Sequence, residues 1–258
     1  METNKISFQY KNSPPILNEL STSIAEGKVT TIIGPNGSGK STLLALLARN
    51  YIPSVGQIII DGRDLQQLKT KELARILAVV HQQNDAPYDL TVEKLVEYGR
   101  LPYRHMFSSE SNEDREAIEW ALECTKLTEF RHRRLNELSG GQKQRAWVAM
   151  ALAQKTSILF LDEPTTFLDI YYQIELLDLV QQLNREHGLT IVMVLHDVNQ
   201  AVRYSDHIKV LKDGNIIAEG EPEAIMTSEL MELVYDVKAV IRKDEETGLY
   251  IVPIATNA

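Results

Sequence analysis

The chain has 258 residues, with 27 Lys or Arg and 36 Asp or Glu, which gives a formal net charge of −9. Non-specific nucleic-acid binding needs a positive surface, so an acidic chain without a basic block is a poor candidate for it. A single cysteine, Cys124, excludes an intrachain disulfide framework and a thiolate-rich zinc site. We expect Cys124 to be a small apolar residue within a helix.

The start of the chain lacks a basic segment followed by an apolar stretch, so we do not expect a signal peptide. The apolar runs are far shorter than the ~18 residues that a membrane-spanning helix needs. The default expectation is therefore a cytoplasmic protein that needs partners if it works at a membrane.

Short β-branched runs alternate with amphipathic stretches, which predicts an α/β fold with a mainly parallel sheet. The predicted strands are residues 29–33, 57–61, 77–80, 158–161, 191–195 and 208–211.

The stretch between residues 91 and 153 has helical spacing instead, so we expect a helical subdomain over 84–156. It interrupts a core formed by 1–83 and 157–237. A further helix is predicted over 228–234. Two short β runs flank the polar turn 243–248 and predict a terminal hairpin within 238–258.

A phosphate-binding loop is predicted directly after the first of these strands. Residues 34–41 match G-x-x-x-x-G-K-[ST], and an apolar helix follows them. Glycines let backbone N–H groups surround phosphate oxygens, and the helix adds its positive N-terminal end. Lys40 would reach the β- and γ-phosphates and the Ser41 hydroxyl would bind Mg²⁺. The residues of this nucleotide site are Gly34, Pro35, Asn36, Gly37, Ser38, Gly39, Lys40, Ser41 and Thr42.

Two carboxylates, Asp162 and Glu163, end the apolar strand 158–161. The end of such a strand is where open α/β sheets bind ligands. Alternation along a strand directs the two side chains to opposite sides, so they should have different roles. Asp162 would hold Mg²⁺, and Glu163 would act as general base toward the attacking water.

A second Gly-rich motif, Leu-Ser-Gly-Gly-Gln, precedes the helical run 143–153. A serine and two glycines at a helix start provide another anion site. The motif consists of Leu138, Ser139, Gly140, Gly141 and Gln142. Placed between the phosphate loop and the Asp-Glu pair, it makes nearly the whole chain resemble the ATP-binding subunits of ABC transporters. The resemblance implies an α/β P-loop NTPase cassette with a RecA-like core, an inserted α-helical subdomain and an antiparallel β part.

The resemblance also implies roles for single residues. Tyr10 matches the aromatic residue that stacks on adenine. Gln82 matches the glutamine that senses Mg²⁺ and water and contacts the permease, although His81 stands where proline is usual. Asp169 matches the D-loop aspartate that meets the other subunit. His196, which follows the strand 191–195, matches the switch histidine that contacts the γ-phosphate.

In this family the Leu-Ser-Gly-Gly-Gln motif acts across a dimer, so ATP lies between one phosphate loop and the opposite motif. One chain offers two anion sites for one triphosphate, which agrees with a two-fold arrangement. We therefore expect an ATPase with ATP and Mg²⁺ as cofactors, acting as a homodimer.

Further segments are similar to those of bacterial importers of ferric siderophores, haem and cobalamin: 90–92 with 99–103, then 164–170, then 195–201 with 203–204. This favours a peripheral subunit on the cytoplasmic face of the cell membrane that powers siderophore uptake. Its partners would be transmembrane permease subunits, docked near Gln82 and the helical subdomain, and indirectly a substrate-binding protein, with no nucleic acid.

Other functions remain as alternatives at this point. A haem or cobalamin importer fits the same motifs. A soluble ABC ATPase of DNA repair or translation usually carries a long coiled coil or two cassettes, and this chain shows neither. A P-loop kinase or GTPase has no use for Leu-Ser-Gly-Gly-Gln.

Overall fold

The computed structural model describes residues 1–87, 89–104 and 111–256. The chain divides into two compact units, Met1–Leu68 with Thr190–Ala258, and Lys69–Leu189. Within the described ranges, no helix combines the length and apolar character needed to cross a bilayer. The predicted 84–156 subdomain includes Tyr88 and residues 105–110, and the predicted hairpin includes 257–258; these positions lie outside the described residues.

The strands in chain order are β1 (Glu2–Gln9), β2 (Pro15–Ser23), β3 (Val29–Ile33), β4 (Val55–Ile60), β5 (Arg63–Asp64), β6 (Leu77–Val80), β7 (Ile158–Asp162), β8 (Thr190–Val194), β9 (His207–Lys212), β10 (Asn215–Gly220), β11 (Val237–Asp244) and β12 (Gly248–Thr256). The helices are α1 (Lys40–Leu47), α2 (Thr70–Leu73), α3 (Val92–Tyr98), α4 (Asn112–Cys124), α5 (Gly140–Ala153), α6 (Ile170–His187), α7 (Val198–Tyr204), α8 (Pro222–Ile225) and α9 (Ser228–Tyr235).

The first unit is centred on β3, which pairs in parallel with β8 on one side and β9 on the other. Every residue of β3 and β8 is buried, as expected for parallel strands covered on both faces. β10 returns antiparallel beside β9. A second, antiparallel sheet has the order β2-β1-β4-β5, and β11 and β12 form a hairpin. The carboxyl ends of β3 and β8 lie at the same sheet edge, since Ile32 is in register with Val194.

The second unit joins β6 and β7, which are parallel and in register from Leu77 opposite Ile158 to Val80 opposite Leu161. The helices α3, α4 and α6 pack against α5. Gly99 permits one close approach there, because a Cβ at this position would lie 2.1 Å from the carbonyl oxygen of Met150 in α5. The α/β fold class is therefore confirmed.

All six predicted strands are present, with ends that differ by at most two residues from the predicted ones. The helix 228–234 and the terminal hairpin are also present as α9 and as β11 with β12. The grouping of the chain differs from the predicted division, because β6 and β7 belong to the same compact unit as the helices between them.

The sequence pattern did not predict β1 and β2, because β-bulges interrupt their alternation. Lys5 and Glu19 have positive φ of 47° and 42°, and the register between the two strands shifts beside them. Each bulge adds one residue to a strand and so breaks the two-residue repeat. Gly56 in β4 packs closely against the bulge at Lys5, because a Cβ at Gly56 would lie 2.3 Å from the carbonyl oxygen of Lys5.

Candidate nucleotide site

The predicted phosphate loop runs from the end of β3 into α1. Gly34, Gly37 and Gly39 have φ of 151°, 80° and 101°, a region that side chains disfavour. At Gly34 the restriction is also steric, because a Cβ would lie 2.0 Å from the carbonyl oxygen of Leu211. The loop therefore has the tight turn that presents backbone N–H groups at the start of a helix.

Lys40 is buried within this loop, with only 5% of its surface exposed. Its Nζ donates hydrogen bonds to the carbonyl oxygens of Gly34 and Pro35, both at 3.0 Å. The ammonium is thus held over the loop that it would serve. The Ser38 hydroxyl oxygen is buried and has no hydrogen-bond partner among the described residues, whereas Ser41 is exposed.

Tyr10 lies beside the same helix. Its hydroxyl is 3.1 Å from the hydroxyl of Thr42, and 37% of its surface is exposed. Tyr51, just after α1, lies edge-on to Tyr10 with ring centroids 5.4 Å apart and is 41% exposed. Sequence reasoning missed Tyr51, because no motif includes it and Tyr10 lies far from it in the chain. The two rings offer an aromatic surface of the kind on which a purine base stacks.

His196 is exposed and follows β8 by two residues. Since β3 and β8 are parallel neighbours, His196 and Gly34 follow the same edge of the sheet. Asp197 caps the next helix, α7, by accepting a hydrogen bond from the N–H of Gln200 at 2.9 Å. The first unit therefore contains the phosphate loop, the two tyrosines beside α1 and the predicted switch histidine.

In the second unit, the structure places Gln82 beside Glu163. Gln82 follows β6 by two residues, and its amide Nε2 donates to Glu163 Oε2 at 2.5 Å. The Thr166 hydroxyl donates to the same oxygen at 3.3 Å. These bonds hold the Glu163 carboxylate at the end of the parallel pair β6 and β7.

Strand alternation, which we used to predict the direction of the Glu163 side chain, does not determine it. The strand β7 ends at Asp162, and Glu163 adopts a left-handed conformation with φ of 48°. Strand alternation therefore does not extend to Glu163. Its direction is set by the following turn, in which the N–H of Thr166 donates to the Glu163 carbonyl oxygen. A non-glycine residue in this region is strained, and such strain concentrates at functional positions.

The Ser139–Gln142 segment begins α5 with a capping box. Ser139 Oγ accepts from the N–H of Gln142, and Gln142 Oε1 accepts from the N–H of Ser139. Ser139 and Gly140 are exposed. Gly141 is required by packing, because a Cβ there would lie 2.4 Å from the ring of Tyr172 in α6. The segment is a rigid, open helix start.

Asp169 caps α6 by accepting a hydrogen bond from the N–H of Tyr172 at 3.1 Å, and it is itself exposed. Near it in the chain are four exposed apolar side chains to which sequence reasoning gave no role of their own. We call them the α6 patch: Phe167, Ile170, Tyr171 and Ile174, which are 89%, 74%, 66% and 43% exposed. Phe167 also has a positive φ of 64°. Large exposed apolar side chains grouped along a chain are typical of protein contact surfaces.

The segment 99–103 is a scaffold. Arg100 is buried and donates to Asp114 Oδ1 and to the carbonyl oxygen of Ala153, both at 2.8 Å. Its guanidinium also lies over the Tyr103 ring, 3.9 Å from the centroid. Burial raises the pKa of Asp114, but hydrogen bonds from Arg100 and Ser111 together lower it by more, so the pKa is below its usual value. Leu101 remains 59% exposed.

The family model described as ABC transporter matches residues 17–166. The chain belongs to the ABC transporter family. It is therefore an ABC ATPase cassette, and the predicted family, fold class and ATP-binding function are confirmed.

Two relatives of this cassette are both named as ATP-binding proteins of import or transport systems. It is 44% identical over 250 residues to the petrobactin import ATP-binding protein FpuC of Bacillus anthracis, covering 97% of this chain and 92% of the relative. It is 45% identical over 244 residues to the ferric enterobactin transport ATP-binding protein FepC of Escherichia coli (strain K12), covering 94% and 90%.

Solved structures agree with the cassette fold. An ABC transporter described as metal-chelate type, in an inward-facing conformation, matches with a TM-score of 0.85 and 26% identity, covering 98% of this chain and 96% of that one. The dimeric structure of the bacterial ABC transporter cassette MJ0796 matches with a TM-score of 0.75 and 32% identity, covering 86% and 98%.

Proposed function

We propose that this cassette hydrolyses ATP to power the import of a ferric siderophore through transmembrane permease subunits. The observation that carries the proposal is its 44% identity, over nearly its full length, to a relative named for import of the siderophore petrobactin. A second relative is named for ferric enterobactin transport, and the metal-chelate type of the similar transporter supports the same cargo class. Haem and cobalamin are the alternative cargoes.

The phosphate loop would bind the triphosphate through its backbone N–H groups and Lys40. Two features of the loop support this. The buried Ser38 hydroxyl, without a partner among the described residues, would gain one from a phosphate oxygen. The Lys40 ammonium would exchange its two carbonyl partners for charged phosphate oxygens, which are stronger acceptors. Tyr10 and Tyr51 would stack on the adenine.

The residues assigned to Mg²⁺ fit a hard cation, because Ser41, Asp162 and Gln82 all offer oxygen donors. Gln82 donates through its amide nitrogen to Glu163, which leaves its amide oxygen for a metal. The described residues contain no cluster of three or more His, Cys, Asp or Glu side chains suited to a metal. When bound, the ion would neutralise charge on the phosphate oxygens.

For hydrolysis, Glu163 would accept the proton of the attacking water as general base. Gln82 and Thr166, which both donate to its carboxylate, would orient it and so define the direction of attack. His196 would donate a hydrogen bond to the γ-phosphate and stabilise its developing charge.

The active form would be a homodimer in which Ser139, Gly140, Gly141 and Gln142 of one subunit contact the ATP of the other. The exposed helix start at Ser139 supports an anion contact from outside the chain. The α6 patch beside Asp169 supports a protein contact at the same time. The dimeric structure of the MJ0796 cassette provides a precedent.

The permease would dock on the second unit. A cavity of 370 Å³ is lined by Asn84, Asp85, Pro87, Leu135, Lys143 and Trp147, directly after Gln82. We infer that it receives the end of a short permease helix. We place the cassette on the cytoplasmic face of the membrane, with a substrate-binding protein acting on the far side of the permease.

A transport assay tests the proposal. Cells lacking the cassette gene are complemented with the wild-type chain or with Glu163→Gln, and uptake of ⁵⁵Fe-labelled siderophores, haem and labelled cobalamin is measured. We expect only siderophore uptake to return, and only with the wild type. Restoration of haem or cobalamin uptake alone would reassign the cargo, and full uptake with Glu163→Gln would remove Glu163 from its role.

A further inference from the structure

Asn199 lies in the segment 195–201 that the sequence singled out, and it has no part in the function proposed for the nucleotide site. In the structure its side-chain amide joins α7 to the C-terminal hairpin. The Nδ2 donates to the carbonyl oxygen of Ile251 at 3.1 Å, and the Oδ1 accepts from the N–H of Ile251 at 2.7 Å. Both backbone groups of one residue of β12 are therefore paired by one side chain.

This pairing replaces a neighbouring strand. Ile251 lies opposite Ile241 in the hairpin, and the outer edge of β12 would otherwise present unpaired backbone groups. Ile251 is itself only 3% exposed. The contact between helix and hairpin is therefore a two-point hydrogen bond made at a buried residue of β12.

The position of α7 depends on such contacts. The helix has seven residues, and a helix this short is not stable without tertiary packing. It starts two residues after His196, with Asp197 as its cap. Any shift of α7 against the hairpin would therefore move the backbone that carries the His196 imidazole.

The same C-terminal segment reaches the phosphate loop. Tyr235, at the end of α9 and two residues before the hairpin, has a buried hydroxyl next to the backbone of Gly34, without the geometry of a full hydrogen bond. The segment that leads into the hairpin therefore lies close to the phosphate loop.

We propose that Asn199 is a positioning residue for ATP hydrolysis: it holds α7 on the C-terminal hairpin and thereby fixes His196. The inference rests on the role proposed for His196. It assigns a function to the hairpin as a brace for the hydrolytic machinery.

A double-mutant cycle on the purified full chain tests this role. Asn199→Ala is made alone and in a His196→Ala background, and steady-state hydrolysis of γ-³²P-labelled ATP is measured over a range of ATP concentrations. Because a small misplacement of a catalytic group is costly, we expect Asn199→Ala alone to lower kcat about tenfold, with KM for ATP changed less than about twofold. In the His196→Ala background the same substitution should change kcat less than about twofold, since the two residues act as one unit.

The control is Val252→Ala, because Val252 follows Ile251 in the hairpin but is 40% exposed. It should leave kcat unchanged. Hydrogen exchange of the α7 amides gives a second readout that needs no catalysis, and exchange should accelerate in Asn199→Ala only.

Two results would overturn the inference: equal losses of kcat in both backgrounds, or unchanged kcat and unchanged exchange in Asn199→Ala. Failure of the proposed function gives a different result. A wild-type chain that does not hydrolyse ATP would refute the proposed ATPase function. A His196→Ala variant with the kcat of the wild type would refute the role of His196 itself.

Discussion

Arg100 offers a stringent test of how the second unit is held together. Its guanidinium and the Asp114 carboxylate are each 5% exposed, and the two form a 2.8 Å ion pair. Arg100→Met keeps much of the apolar stem but leaves Asp114 buried without its main partner. Removing one member of a buried pair costs about 3–5 kcal/mol. Arg104 lies 3.8 Å from the other Asp114 oxygen and offers partial compensation, so we expect a loss near 3 kcal/mol, at the low end of that ~3–5 kcal/mol range.

The assay is urea unfolding of the nucleotide-free chain at pH 7. The matched control is Lys94→Ala, because the Lys94 ammonium is paired with Glu97 at 2.8 Å but its side chain is 62% exposed. An exposed pair contributes less than about 1 kcal/mol. The double variant Arg100→Met with Asp114→Leu should regain part of the lost stability, because it removes the stranded charge. A loss below about 1 kcal/mol for Arg100→Met, or a double variant less stable than the single, would refute the reasoning.

Three further predictions concern other parts of the cassette. Tyr51→Ala should weaken ATP binding about 3- to 10-fold, because an aromatic contact to the base is lost. Calorimetry with inorganic triphosphate should show unchanged affinity, because the phosphate contacts remain. Equal affinity of Tyr51→Ala and the wild type for ATP would exclude an adenine contact. Glu163→Gln should form a stable dimer with saturating ATP in light scattering, and Phe167→Asp added to it should restore the monomer; a monomer in Glu163→Gln alone contradicts the dimer. Since the folded pKa of Asp114 lies below the unfolded value of 3.8, its contribution to stability is complete above that pH and is lost as pH falls through the folded pKa. Acid unfolding of Asp114→Asn should therefore show a smaller loss of stability below pH 3.8 than the wild type does.

The phosphate loop and the strands around it were predictable because their signals are local. A β-branched run, glycines at fixed spacing and a following apolar helix are all read from neighbouring residues. The same holds for Ser139, whose cap partner Gln142 is three residues away. The positions of β1 and β2 were not predictable, because bulges at Lys5 and Glu19 remove the alternation that marks a strand.

Sequence reasoning also could not predict the contacts of Tyr51 and Asn199 or the conformation of Glu163, because these depend on how distant segments and turns are arranged in space. Asn199 contacts Ile251, 52 residues along the chain, and nothing in either local sequence indicates the other. Tyr51 acquires a meaning only when β1 brings Tyr10 beside it. The left-handed conformation of Glu163 depends on the turn that follows β7, so strand alternation was not the right guide.

The internal bonds of Lys40 have a consequence for the entropy of binding. A free lysine side chain loses up to about 2 kcal/mol of rotamer freedom when it is immobilised. Here the Nζ is already fixed by two loop carbonyls and the side chain is buried. That ordering accompanies folding of the chain, so it does not oppose the association with nucleotide. In the role proposed for Lys40, an arriving triphosphate would meet a charge already in place, and the lysine would only exchange its acceptors.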